Sequence, residues 1–217
     1  MNNILDLRDK KEEKTEVEPE QAVLEEVPEQ PSPWQKFKEY FWEILKIVVI
    51  SLIIIVPIRL YVIQPFIVEG DSMVPNFHNG EYLIVDEISY RFSEPVRGEV
   101  IIFHPPQDPK TYYIKRIIGL PGETVEFKNG KIYIYNTEFP QGQLLDEKLY
   151  LADSLANEEV KVTLKGKEYF VMGDNRNNSL DSRRLGPIAF DHIRGRAMLR
   201  AFPFNEFTVF KSPNYNF

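Results

Sequence analysis

The sequence predicts a mainly β protein, an antiparallel β-sheet domain preceded by one transmembrane helix, on three observations. From Ile44 to Ile63 the chain is almost wholly apolar, and a helix of that length spans about 30 Å, the thickness of a bilayer's hydrocarbon core. Beyond it, the hydrophobic pattern changes to short period-2 runs, which place alternate side chains on one face of a strand. Asn129-Gly130 lies between two such runs and is a strong signal for a type I′ hairpin, whose central residues both need positive φ.

Residues 1–33 precede the helix and read as a disordered acidic tail. They hold ten acids against four bases, so they carry −6 of the chain's net −7. With four prolines and few aromatics, they lack the apolar surface needed to offset the entropy of folding. The remainder is close to neutral, and no basic face is implied, so nucleic acid is not an expected partner.

Residues 34–63 read as an interfacial and transmembrane helix. Trp34, Phe37, Phe41, Ile44 and Leu45 recur at helical spacing, and Trp34 and Trp42 suit the membrane interface. Lys46 and Arg59 lie close enough to the ends to snorkel, and Pro57 is expected to bend or stop the helix. A cleavable leader is disfavoured, because a long polar stretch precedes the segment and no small-x-small site follows it. Lys36, Lys38 and Lys46 before the span, against Arg59 after it, orient the tail to the cytoplasm and the following domain outward.

Residues 64–217 read as the β-rich domain. Strands are expected at 66–68, 82–85, 100–103, 112–118, 124–127, 132–135, 169–172, 197–202 and 207–210, with a turn at Lys165-Gly166-Lys167. A short helical patch is expected at 148–157, within a variable lobe over 136–165.

The chemistry available is narrow. The chain has no cysteine and three scattered histidines, which excludes a thiolate nucleophile, a disulfide framework and Cys-ligated zinc, and makes any metal site improbable. No cofactor is implied. Ser72 stands in Gly70-Asp71-Ser72-Met73-Val74-Pro75, a sharp turn just beyond the span. A Ser hydroxyl needs a group that removes its proton. Lys115 lies on a predicted strand with Tyr113 and Ile117 on the same face, where lost hydration lowers an ammonium's pKa. Taken alone, a lysine there more often packs its stem and keeps its head in water. A third segment, Gly173 to Arg183, is rich in Asn, Asp, Ser and Arg and has no amphipathic pattern. It reads as a self-bonded loop that positions a polar side chain.

These three segments, in this order behind a membrane segment, resemble the type I signal peptidases, membrane-bound serine proteases with a Ser/Lys dyad. The match lies in Gly-Asp-Ser-Met-Val-Pro at 70–75, Tyr-Ile-Lys-Arg-Ile-Ile-Gly-Leu-Pro-Gly-Glu at 113–123 and Gly-Asp-Asn-Arg-Asn-Asn-Ser-Leu-Asp-Ser-Arg at 173–183. The resemblance implies Ser72 as nucleophile and Lys115 as general base, with Ser179 bonded to the Lys115 amine. Asp181 and Arg183 form a supporting ion pair. Gly70 stands where some members carry a serine donor, which implies a backbone-only oxyanion hole. The family commonly has Thr-Leu where this chain has Asn76-Phe77. Around the substrate, the resemblance implies one pocket lined by Val68, Met73, Phe77 and Tyr113 and a second lined by Phe66 and Ile114. Implied partners are secretory preproteins and membrane lipid, with cleavage of signal peptides at the outer face of the cytoplasmic membrane. Repressor-type Ser/Lys peptidases share a related fold, but they carry a DNA-binding domain where this chain has an acidic tail and a span. A non-catalytic membrane-anchored β module would leave Ser72, Lys115 and the Asn-rich loop unexplained.

Overall fold

A computed structural model describes residues 32–61, 63–151, 158–213 and 215. The expected disordered tail therefore lies almost wholly outside the described residues, as does 152–157 of the expected helical patch. The chain falls into two units, 1–47 and 48–217.

The first element is α1, Pro33–Tyr61. Its start is written locally. Ser32 Oγ accepts from Gln35 N at 3.3 Å and Gln35 Oε1 accepts from Ser32 N at 2.8 Å, a reciprocal capping box with Pro33 as the first helical residue, where its missing N–H costs nothing. Pro57 does not stop α1, which continues to Tyr61; proline is tolerated in apolar helices better than in water-exposed ones. Within Pro33–Arg59 an 18-residue stretch reaches a mean hydropathy of 2.4, and among the described residues nothing buries its apolar side chains. Such a surface is costly in water at about 25 cal/mol per Å². In lipid that cost vanishes, and α1 is a membrane-associating helix.

Among the described residues twelve strands follow α1, every pairing antiparallel. They are β1 Ile63–Ile67, β2 Tyr82–Asp86, β3 Val100–Phe103, β4 Tyr113–Gly119, β5 Thr124–Lys128, β6 Lys131–Tyr135, β7 Gln143–Leu144, β8 Val160–Thr163, β9 Glu168–Met172, β10 Ile188–Ala189, β11 Ile193–Phe202 and β12 Thr208–Val209. A four-residue helix, α2, spans Ser182–Leu185. One sheet has the order β1-β2-β11-β3-β4-β9-β10, with β12 on β11, and the other has the order β7-β6-β5-β8. Pro65 sits in β1, an edge strand, where a missing backbone donor is tolerated. At the β5–β6 hairpin, Asn129 and Gly130 have φ of 49° and 71°, as a type I′ turn requires.

The second sheet packs onto the first through a cluster that includes Ile118, Val125, Phe127, Ile132, Ile134, Phe170 and Met172. A second cluster holds the turn that carries Ser72 on the first sheet, with Val68, Met73, Phe77, Leu83, Val85, Val100 and Ile102.

The structure departs from the sequence expectation in three places. β11 begins at Ile193 rather than Ala197, because Arg194 and Arg196 break the apolar pattern yet are matched by Glu87 and by Asp86 and Glu99. The lobe over 136–165 contains β7 and β8, whose two and four residues are too short to read as alternation. Lys148 to Tyr150 form a turn rather than a helix, with Leu151 N donating to Glu147 O at 2.8 Å.

Gly119 sits where β4 shifts register against β9, and a Cβ there would lie 2.3 Å from Val125 Cγ2 and 2.8 Å from Leu164 Cδ1. Gly119→Ala is expected to destabilise the protein by about 1–3 kcal/mol through overpacking. Gly166→Ala, where a Cβ meets nothing within 4 Å, is expected to leave the thermal midpoint unchanged, and calorimetry of both variants checks the contrast.

Candidate active site

Ser72 opens the turn that follows β1. Val68 N donates to Glu81 O and Gly80 N to Val68 O, both at 2.9 Å, so the chain leaves β1 still paired. Gly70 then takes φ of +83°, a region that L side chains adopt at a cost, and its N–H donates to Asn79 Oδ1 at 2.9 Å. Asn76 N and Phe77 N both donate to Met73 O at 3.0 Å and close the turn. Met73 and Phe77 are fully buried beneath it.

Lys115 arrives from the other side. β4 pairs with β3 along Tyr113 to Arg116, but β9 joins it only from Arg116 onward. The stretch Tyr113–Lys115 therefore has an open edge. The sheet curls until Phe66 of β1 meets Tyr112, with ring centroids 4.9 Å apart. Between them lies a cleft of about 450 Å³ that contains Ser72 and Lys115.

Inside the cleft, Lys115 Nζ donates to Ser72 Oγ at 2.8 Å and to Ile114 O at 2.8 Å. Lys115 is only 3% exposed. Burial lowers its pKa from 10.5 to about 8, a fall that Asp181 and Asp174 partly oppose. The amine is thus a base that can accept a proton near neutral pH.

The loop from Gly173 holds this pair in place. Asn175 N donates to Ser72 O and its side-chain amide to Asp71 O, each at 3.0 Å. Asp181 is fully buried, and Arg183 grips it with two bonds of 2.9 Å. Burial pushes the Asp181 carboxyl up, but Arg183 and the Gly173 N–H more than offset this and hold it below its usual range. Gly173 is required by space: a Cβ there would lie 2.2 Å from Ser179 Oγ and 2.4 Å from Ser72 O.

Not every expected residue stands where the sequence put it. Phe66, Val68, Tyr113 and Ile114 line the cleft with Ser72 and Lys115, whereas Met73 and Phe77 do not. Both face the core below, which consumes their apolar area in packing the turn. The Ser179 hydroxyl is tucked against Gly173, while the Lys115 amine bonds Ser72 and Ile114, so the expected bond from Ser179 to Lys115 is not formed. Ligand-type atoms of His78, Glu81 and Glu206 lie together, but Arg200 pairs with Glu81 at 2.8 Å and Glu206 at 3.3 Å and already supplies the positive charge there.

The family model described as "Signal peptidase, peptidase S26" matches residues 41–202. A probable signal peptidase I-1 of Synechocystis is 38% identical over 80% of this chain and 86% of its own. Signal peptidase I T of Bacillus subtilis is 40% identical over 74% of this chain and 85% of its own. A solved signal peptidase I from Enterococcus faecalis is 30% identical over 48% of this chain and 97% of its own, with a TM-score of 0.40. The chain belongs to the signal peptidase family, peptidase S26. The matched range takes in the Ser72 turn, β4 and the Asn-rich loop.

For this signal peptidase family member, sequence reasoning missed Leu83, Ile102, Tyr112 and Leu180, which also line the cleft. Leu83 and Ile102 follow from strand alternation once the face is known, and Leu180 is the one large apolar residue in a polar loop. Gly173→Ala is expected to displace the Ser72 carbonyl and to cut peptidase activity by about a hundredfold, the cost of misplacing a reacting group by about 1 Å. Steady-state rates on a signal-peptide substrate, normalised to folded protein, check it.

Proposed function

We propose that the chain is a signal peptidase I, a membrane-bound serine endopeptidase that cleaves signal peptides from preproteins, with Ser72 as nucleophile and Lys115 as general base. The observation that carries this reading is the 2.8 Å bond from a buried lysine amine to a serine hydroxyl in an open cleft. Neutral Lys115 takes the Ser72 proton as Oγ attacks the scissile carbonyl carbon. The tetrahedral intermediate collapses with loss of the C–N bond, and Lys115 returns the proton to the leaving amine. A water, deprotonated by Lys115, then attacks the ester carbon, and the proton passes back to Ser72 as the acyl–oxygen bond breaks.

The developing oxyanion needs a donor close to the nucleophile. The Ser72 N–H makes no hydrogen bond among the described residues and can serve. Gly70 offers no side chain, which leaves the hole to backbone groups. An extended substrate is suited to the open edges of β1 and of β4 at Tyr113–Lys115, with alternate side chains directed into the apolar cleft. Shallow apolar pockets favour small residues, as in Ala-x-Ala-like sites. The acidic tail is assigned to the cytoplasm, α1 to the span and the β domain to the outer face, where α1 keeps Ser72 near emerging signal peptides.

Ser72→Ala and Lys115→Ala are expected to fold and to lose roughly a thousandfold or more of preprotein cleavage; full activity in either would overturn the assignment. The lowered Lys115 pKa sets the pH dependence. Below about 8 the amine is protonated and cannot act as base, so kcat/KM should fall about tenfold for each pH unit below that point. A profile flat down to pH 5 would contradict a lysine base.

A further inference from the structure

Ser72 and Lys115 come from separate segments, and inside the cleft only one hydrogen bond joins their side chains. A second connection runs behind the sheet. Arg116 follows Lys115 on β4 and so points to the opposite face. Its Nε and one terminal nitrogen bond Asp174 at 2.8 and 2.6 Å, and its other terminal nitrogen bonds Gly98 O at 2.8 Å. Asp174 Oδ2 also accepts from Asn76 Nδ2 at 2.8 Å. Asn76 belongs to the same turn as Ser72, four residues on. The two reacting residues are therefore linked in a closed ring through Asn76, Asp174 and Arg116.

Asn76 is well placed to set that ring. Its Nδ2 also donates to Tyr150 O at 2.7 Å, so both amide protons are used. Its carbonyl accepts from Arg200. A threonine, common here in the family, has one hydroxyl proton and could not make both donations. Asn76 does not line the cleft, so it does not meet substrate.

We propose that Asn76 is a positioning residue for peptide cleavage: by tying the nucleophile turn to Asp174, and so to Arg116, it fixes the Ser72–Lys115 separation from the reverse face. The proposal rests on the reading of Ser72 as nucleophile and Lys115 as base.

Loosening this tie affects the catalytic step and not substrate binding. It also affects the amine. The carboxylates that act on Lys115 are Asp174 and Asp181, paired with Arg116 and Arg183, and the Tyr113 ring centroid lies 5.4 Å from Nζ. Without the Asn76 donor, Asp174 has one partner fewer and favours the ammonium more strongly.

The test uses the full chain in detergent micelles with a peptide that spans an Ala-x-Ala site, comparing wild type, Asn76→Ala, Asn76→Thr, Ser72→Ala and Lys115→Ala. For Asn76→Ala the expected result is a kcat lower by about 10- to 100-fold per folded molecule, with KM within about twofold and the acid limb of the kcat–pH profile moved to higher pH. Asn76→Thr, which keeps a donor for Asp174, is expected to recover most of the lost kcat, and it carries the test should the alanine variant fail to fold. Unchanged kcat in Asn76→Ala, a rise in KM as large as the fall in kcat, or a threonine variant inactive though folded would overturn the proposal. Activity in Ser72→Ala or Lys115→Ala would instead overturn the dyad reading on which it stands.

Discussion

Taking an ammonium group out of water costs several kcal/mol, and a protein relieves that cost either by a counter-ion or by letting the proton go. Lys115 is held between these outcomes. It is 3% exposed and lies near two carboxylates, but each carboxylate is already engaged by its own arginine, Asp181 by Arg183 and Asp174 by Arg116. Burial then prevails, and the amine pKa falls to about 8. The Ser72 hydroxyl at 2.8 Å is the group that such an amine can deprotonate. Had either arginine been absent, the unpaired carboxylate would stabilise the charged lysine and remove the base.

That balance explains why so much of the fold converges on one loop. The segment from Gly173 to Arg183 leaves β9, supplies both carboxylates, and holds the Ser72 turn through Asn175. Its first residue must be glycine because Ser72 O and Ser179 Oγ occupy the space of a side chain. The incomplete pairing of β4 follows from the same layout. β9 stops at Met172 so that the chain can turn into the loop, and this leaves Tyr113–Lys115 with a free edge beside Lys115. The place where the sheet is left open is also where a peptide can be received.

The sequence was informative where chemistry is local. The apolar helix, the Asn129-Gly130 hairpin and most strands follow from periodicity and turn residues, whereas Lys115 between Tyr113 and Ile117 stood out only beside Ser72 and the Asn-rich loop, since a lysine there alone more often keeps its head in water. What lay beyond reach was side-chain direction in the turn. Met73 and Phe77 are apolar residues close to Ser72, and only the packing shows that they face the core and not the cleft. Asn76 and Asp174 could not be paired from the sequence, because 98 residues separate them and neither lies in a periodic element. The start of β11 was hidden for a related reason: Arg194 and Arg196 read as surface until their partners on neighbouring elements are known.

Burial, with the nearby carboxylates already engaged by arginines, is what we propose makes Lys115 a base near neutral pH. Titration of the full chain with 13C-labelled lysine side chains, in which Lys115 is assigned by its absence in Lys115→Ala, reads that pKa directly. A midpoint near 8 is expected for Lys115. A Lys115 midpoint at the ordinary value of about 10.4 would contradict it.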